Sequence, residues 1–134
     1  MRASDPKAMI ATQTTILVVD DDDHFRETLS DAMALKDVRV EGAVSVRDAL
    51  RCLSQHRPSL IILDVQLPDM NGFELCRALK KDERFRDVPV VLLSAKYTEP
   101  ADRAEGLLTG ADAFLSKPIS LESLWDEVCY LLDR

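Results

Sequence analysis

The chain has 134 residues, 46% of them hydrophobic and 31% charged, with a net charge of −7. Those figures describe one globular domain, long enough to bury a core but short for most multi-step enzymes. The negative balance argues against this chain alone binding nucleic acid, and no apolar run approaches the ~20 residues of a membrane span.

Met1 to about Thr14 shows no period and lacks the apolar stretch of a signal peptide, so residues 1–14 read as a flexible leader and 15–134 as the domain. Ile16-Leu17-Val18-Val19 is an apolar strand that runs into Asp20, Asp21, Asp22 and Asp23. The helix after it carries Phe25, Leu29, Ala32 and Met33 on one face. Asp22 and Asp23 suit its N-cap and first turn. Val38 to Ala43 alternates and is partly β-branched, as an edge strand does. Ser45-Val46-Arg47-Asp48 resembles a capping box, and the helix it opens turns Val46, Ala49, Leu50 and Leu53 inward before Pro58.

Leu60-Ile61-Ile62-Leu63 is a strand buried on both faces, and Asp64 stands at its carboxyl end. Pro68 to Gly72 is turn chemistry, which predicts that Asp64 lies at a rim rather than inside the core, where replacement by Ala leaves the fold intact. A helix from about Phe73 to Lys81 and a charged connector from Asp82 to Val88 lead to the strand Pro89 to Ser94. Pro100 suits the start of the next helix and Gly110 its end. Gly106 within it costs about 1 kcal/mol and makes it the weakest helix of the set. Ala113 to Ser116 is a short strand followed by Lys117-Pro118. The last helix places Leu121, Leu124, Trp125, Val128, Leu131 and Leu132 on one stripe. Cys52, Cys76 and Cys129 have no metal-binding spacing and read as reduced, half-buried helix residues of a cytoplasmic protein.

A βα unit repeated five times with short connections predicts a single doubly wound (βα)5 α/β domain. Its parallel five-stranded sheet takes the flavodoxin-like order 2-1-3-4-5, with a crevice where the order reverses. Asp20, Asp21, Asp64, Ser94 and Lys117 all reach that crevice. Clustered carboxylates repel one another, and a hard cation such as Mg2+, with Mn2+ as a substitute, relieves the repulsion. Lys117 and Ser94 suit phosphoryl oxygens. The set is suited to accepting a phosphoryl group on a carboxylate.

These pieces resemble the receiver domain of two-component response regulators. The resemblance rests on Val18-Val19-Asp20-Asp21, on Leu63-Asp64 with Leu67 to Gly72, on Ser94-Ala95 and on Lys117-Pro118, and it covers Thr15 to Leu132. It implies a chemotaxis-regulator-like switch in which Asp64 is the phosphoacceptor, served by a histidine kinase or a histidine phosphotransfer protein. Asp20, Asp21, Asp64 and the backbone carbonyl of Gln66 would hold Mg2+. Ser94 would be the switch hydroxyl, Lys117 the phosphate partner and Phe114 the switch aromatic. The bond before Pro118 would be cis. Output would run through the fourth helix, fifth strand and fifth helix to an effector protein or domain, with a phosphorylation-dependent homodimer as a further form. The only reactions implied are self-phosphorylation from phosphodonors and self-dephosphorylation.

Two other readings compete. Asp20-x-Asp22 fits the D-x-D motif of haloacid-dehalogenase-type phosphatases, but His24 stands where that family places Thr or Val. A pseudo-receiver that binds partners without phosphate has no need of Asp20, Asp21, Asp64, Ser94 and Lys117 together. The spacing from Ser94 to Lys117 is about one residue longer than the family's, which places an insertion in the loop at Tyr97 to Glu99. His24 and His56 read as surface residues, and Trp125 as core or subunit contact.

Overall fold

The computed structural model describes Thr14 to Asp133. Its elements alternate as β1 (Thr15–Val19), α1 (Asp23–Ala34), β2 (Arg39–Ala43), α2 (Val46–Leu53) and β3 (Leu60–Asp64), then α3 (Gly72–Lys81), β4 (Val90–Ser94), α4 (Pro100–Leu108), β5 (Ala113–Ser116) and α5 (Leu121–Leu132). The five strands are all parallel in the order β2-β1-β3-β4-β5, as the βα rhythm predicts. β1, β3 and β4 are apolar runs because helices cover both of their faces. Leu17, Val19, Ile61 and Leu63 face a core with α2 and α3, while Ile16, Val18, Leu60 and Ile62 face a second core with α1 and α5.

Register places the chemistry. Val19 lies beside Leu63, Asp64 beside Leu93 and Ser94 beside Ser116, so the residues that end or follow these strands share one edge of the sheet. Helix starts follow their side chains. Asp22 accepts from the Phe25 amide, Asn71 from Phe73 and Ser120 from Ser123. Gly110, just past α4, has φ +99, the left-handed conformation that favours glycine.

Several expectations change. Thr14, assigned to the leader, is buried, and its carbonyl accepts from the Arg39 amide; the rest of the predicted leader, residues 1–13, lies outside the described residues. Leu50 is 51% exposed rather than inward, because α2 is short and three other positions, Val46, Ala49 and Leu53, fill its buried face. The capping box at Ser45 is half formed: Ser45 accepts from Asp48, but Asp48 reaches the Val44 amide and pairs with Arg51. The charged connector is also a core element, with Phe85 and Val88 buried. Lys80 secures it, donating to the carbonyls of Arg86 and Val88 and to Asp112. Leu121 is 39% exposed and opens the α5 stripe toward solvent. Trp125 is half-buried on that stripe, with the Lys36 ammonium 5.6 Å from its ring centre. Cys76 is buried while Cys52 and Cys129 are half-buried, and burial pushes the Cys52 and Cys76 thiols up.

Candidate phosphoacceptor site

Asp20 leaves β1 and is 1% exposed. One carboxylate oxygen accepts from the Asp22 amide at 2.9 Å, and the other takes the Lys117 ammonium at 2.6 Å. The Arg26 guanidinium donates to the Asp20 carbonyl at 2.6 Å and fixes the backbone from below. Asp21 is exposed, and Asp22 and Asp23 belong to the start of α1 as expected.

Asp64 ends the central strand β3. It is 8% exposed, deeper than a bare rim position, because β1 and β4 flank it and the β3–α3 loop folds over it. Its carboxylate accepts from the Gln66 amide at 3.2 Å and lies 3.5 Å from the Lys117 ammonium. Burial, and then the charge of Asp20, push the Asp64 carboxyl up to about 6, against the opposing pull of Lys117. Burial works against the Lys117 charge, but the hydrogen bond and charge of Asp20, followed by Asp64, outweigh it and raise the ammonium's pKa. The Phe25 ring covers that ammonium, with its centre 4.5 Å away.

Carboxylate oxygens of Asp20, Asp21 and Asp64 lie within 4.8 Å of one another. Three hard oxygen donors, one open to solvent, fit a cation that keeps several waters, as Mg2+ does. Ser94 is fully buried at the end of β4, and its hydroxyl oxygen accepts from the Tyr97 amide at 2.7 Å. Phe114 points inward from β5, 2% exposed, against Phe73. The Lys117–Pro118 bond is cis.

Four residues support the site through contacts that their sequence positions do not announce. Asp69 accepts from the Val46 and Arg47 amides, both at 2.9 Å, so the loop after Asp64 caps α2; those bonds hold its carboxyl low. The acid stands 23 residues after Val46, and no local spacing announces the contact. Arg26 lies on α1 one turn before the buried Leu29 and two turns before the buried Met33, at a position that periodicity gives to the half-buried face, and its guanidinium reaches the Asp20 carbonyl. Arg103 donates to the Phe114 carbonyl at 3.2 Å. Gly72 ends the predicted turn, and its lack of a side chain is what lets α3 start against the Asp64 backbone.

The family model for the response regulator receiver domain matches residues 16–128, and the chain belongs to that family of two-component signalling proteins. It is similar to the transcriptional regulatory protein GltR of Pseudomonas aeruginosa, 39% identical over 126 residues that cover 94% of this chain and 52% of GltR. The chain spans about half the length of the curated relatives it matches. Among solved structures, the receiver domain of a signal transduction histidine kinase from Syntrophus aciditrophicus superimposes with a TM-score of 0.82 at 38% identity, covering 90% of each chain. The chemotaxis response regulator CheY4 of Vibrio cholerae gives 0.83 at 31% identity, covering 90% of this chain and 99% of CheY4. Family membership displaces the phosphatase reading. Among the described residues, no helix is long and apolar enough to cross a membrane.

Proposed function

We propose that this receiver domain is a cytoplasmic switch that accepts a phosphoryl group on Asp64 from a histidine kinase or histidine phosphotransfer protein. The observation that carries the reading is the convergence of Asp20, Asp21, Asp64 and Lys117 at the carboxyl edge of the sheet. Burial and Asp20 push the Asp64 carboxyl up to about 6 without a cation, so it is ionised at neutral pH, the form that attacks phosphorus. Its oxygen bonds to phosphorus as the donor's P–N bond breaks, and the electron pair leaves on the imidazole nitrogen. Lys117 meets the charge on the transferred group, and Ser94 donates its hydroxyl hydrogen to a phosphoryl oxygen.

Asp20, Asp21, Asp64 and the Gln66 carbonyl would hold Mg2+, with Mn2+ as a substitute; the Gln66 amide already ties that residue to Asp64. Such an ion would supply charge neutralisation at the phosphoryl oxygens. The acyl phosphate adds charge and acceptors, Ser94 and Phe114 respond, and the face formed by α4, β5 and α5 carries the change to an effector protein or domain. Exposed Leu107, Leu108 and Tyr130 give that face apolar contacts for an effector or for a second copy in a phosphorylation-dependent dimer.

Mg2+ is expected to raise the thermal midpoint of the wild type, by about 1.4 kcal/mol of stability at tenfold excess over its Kd. Asp21→Ala is expected to lose that rise while keeping its fold, since Asp21 is exposed. An equal rise in both proteins, followed by scanning calorimetry, would remove Asp21 from the site.

A further inference from the structure

Gly106 is buried in the last turn of α4, and its backbone lies outside the left-handed region. Backbone conformation therefore does not call for glycine, and helix propensity argues against it. Packing supplies the reason. A Cβ at this position would lie 2.5 Å from Phe114 Cδ2, 2.9 Å from Phe114 Cε2 and 3.2 Å from Phe73 Cε1. Carbon atoms settle at about 3.5–4.0 Å, so an inward Phe114 ring and a side chain at 106 exclude each other.

The contact has a continuous route to the site. Phe114 packs on Phe73 and Phe73 on Tyr97, each pair with centres 6.1 Å apart. Tyr97 in turn donates its amide to Ser94. On the other side, Leu107 and Leu108 follow Gly106 directly and are 40% and 86% exposed. A shift of α4 at Gly106 displaces both apolar side chains on the outer face.

We infer that Gly106 is a positioning residue of the switch: the space of its missing side chain is the seat of the inward Phe114 ring, through which α4 senses that ring. The inference rests on the reading of Phe114 as the switch aromatic. With the ring seated, α4 closes on it; with the ring withdrawn, α4 faces a void and moves.

The test combines stability with a ring-specific probe. Gly106→Ala is made in the wild type and in Phe114→Ala, and urea midpoints are compared. Alanine is expected to lower the midpoint with Phe114 present and to raise it when the ring is gone, because helix propensity then decides. Protein carrying 4-fluorophenylalanine is followed by fluorine NMR, with Phe114 assigned by loss of its signal in Phe114→Leu. In the wild type this resonance is expected to ignore a change from H2O to D2O, and in Gly106→Ala to respond as an exposed ring does. It is also expected to move when acetyl phosphate and Mg2+ phosphorylate the wild type, as verified by mass.

A midpoint change of the same sign in both backgrounds would overturn the role of Gly106 and leave the phosphoacceptor reading standing. Reversal of sign with a Phe114 resonance that ignores verified phosphorylation would instead remove Phe114 as the switch, and the inference with it. Failure to phosphorylate at all would overturn both.

Discussion

Asp64→Asn is expected to be more stable than the wild type at pH 7.5 and equally stable near pH 4. The Asp64 carboxyl titrates at about 6 in the folded chain against an ordinary 3.8, because burial and Asp20 disfavour its charge. Between those values the folded state binds more protons than the unfolded state, so wild-type stability falls as pH rises through the window. Asparagine keeps the shape of the neutral acid and escapes that fall. At about 1.4 kcal/mol for each tenfold change in protonation, the advantage is about 2–3 kcal/mol above pH 6.5 and vanishes below pH 4. Lys117 keeps Asp20, 2.6 Å away, so the substitution strands no charge. Urea titrations of both proteins at the two pH values, in EDTA so that no cation offsets the Asp64 charge, measure the difference. Equal stability at pH 7.5 would mean that Asp64 carries no strained charge.

Gly72→Ala is expected to damage both fold and site. A Cβ at Gly72 would overlap the Asp64 carbonyl oxygen and lie 2.9 Å from Val65 Cα and 3.1 Å from the Asp64 carbonyl carbon. All of these are backbone atoms at the end of a central strand, and none has a rotamer to give way. The Gly72 amide also donates to the Val65 carbonyl at 2.7 Å, which holds the two segments together. Overpacking of this kind typically costs about 1–3 kcal/mol, and rigid neighbours place this case at the upper end. Relief would come by moving Asp64, and a misplacement of about 1 Å at a reacting group costs about 100-fold in rate. Gly42→Ala is the milder comparison, since its nearest neighbours are side-chain atoms, Arg26 Cδ at 3.3 Å and Nε at 3.4 Å, which need give only a few tenths of an ångström. Gly72→Ala is therefore expected to lose stability and phosphorylation rate where Gly42→Ala loses little. Similar denaturation midpoints for the two would contradict the close approach.

The sheet was readable because β1, β3 and β4 are uninterrupted apolar runs with polar residues at one end, a pattern imposed by burial on both faces. The acids and Lys117 followed from the same rule, since strand ends in a parallel sheet share an edge. What could not be read is what the fold assembles across the chain. Leu50 has the periodicity of a core residue yet faces solvent, because a short helix needs only three inward positions. Phe85 and Val88 lie in a charged stretch whose polar residues hide two core contacts. Gly106 looks like a flaw in a helix until the Phe114 ring is placed beside it. Asp69 and Arg26 act on backbone groups of distant or adjoining elements, which no periodicity encodes.

The most direct measurement is intact-mass spectrometry after incubation with acetyl phosphate, in Mg2+ or in EDTA, on the wild type and Asp64→Asn. The geometry predicts the gain of one phosphoryl group in the wild type with Mg2+, its loss in EDTA, and no gain in Asp64→Asn. A wild type that gains nothing in Mg2+ would contradict the phosphoacceptor site and leave a receiver fold that binds its partners without phosphate.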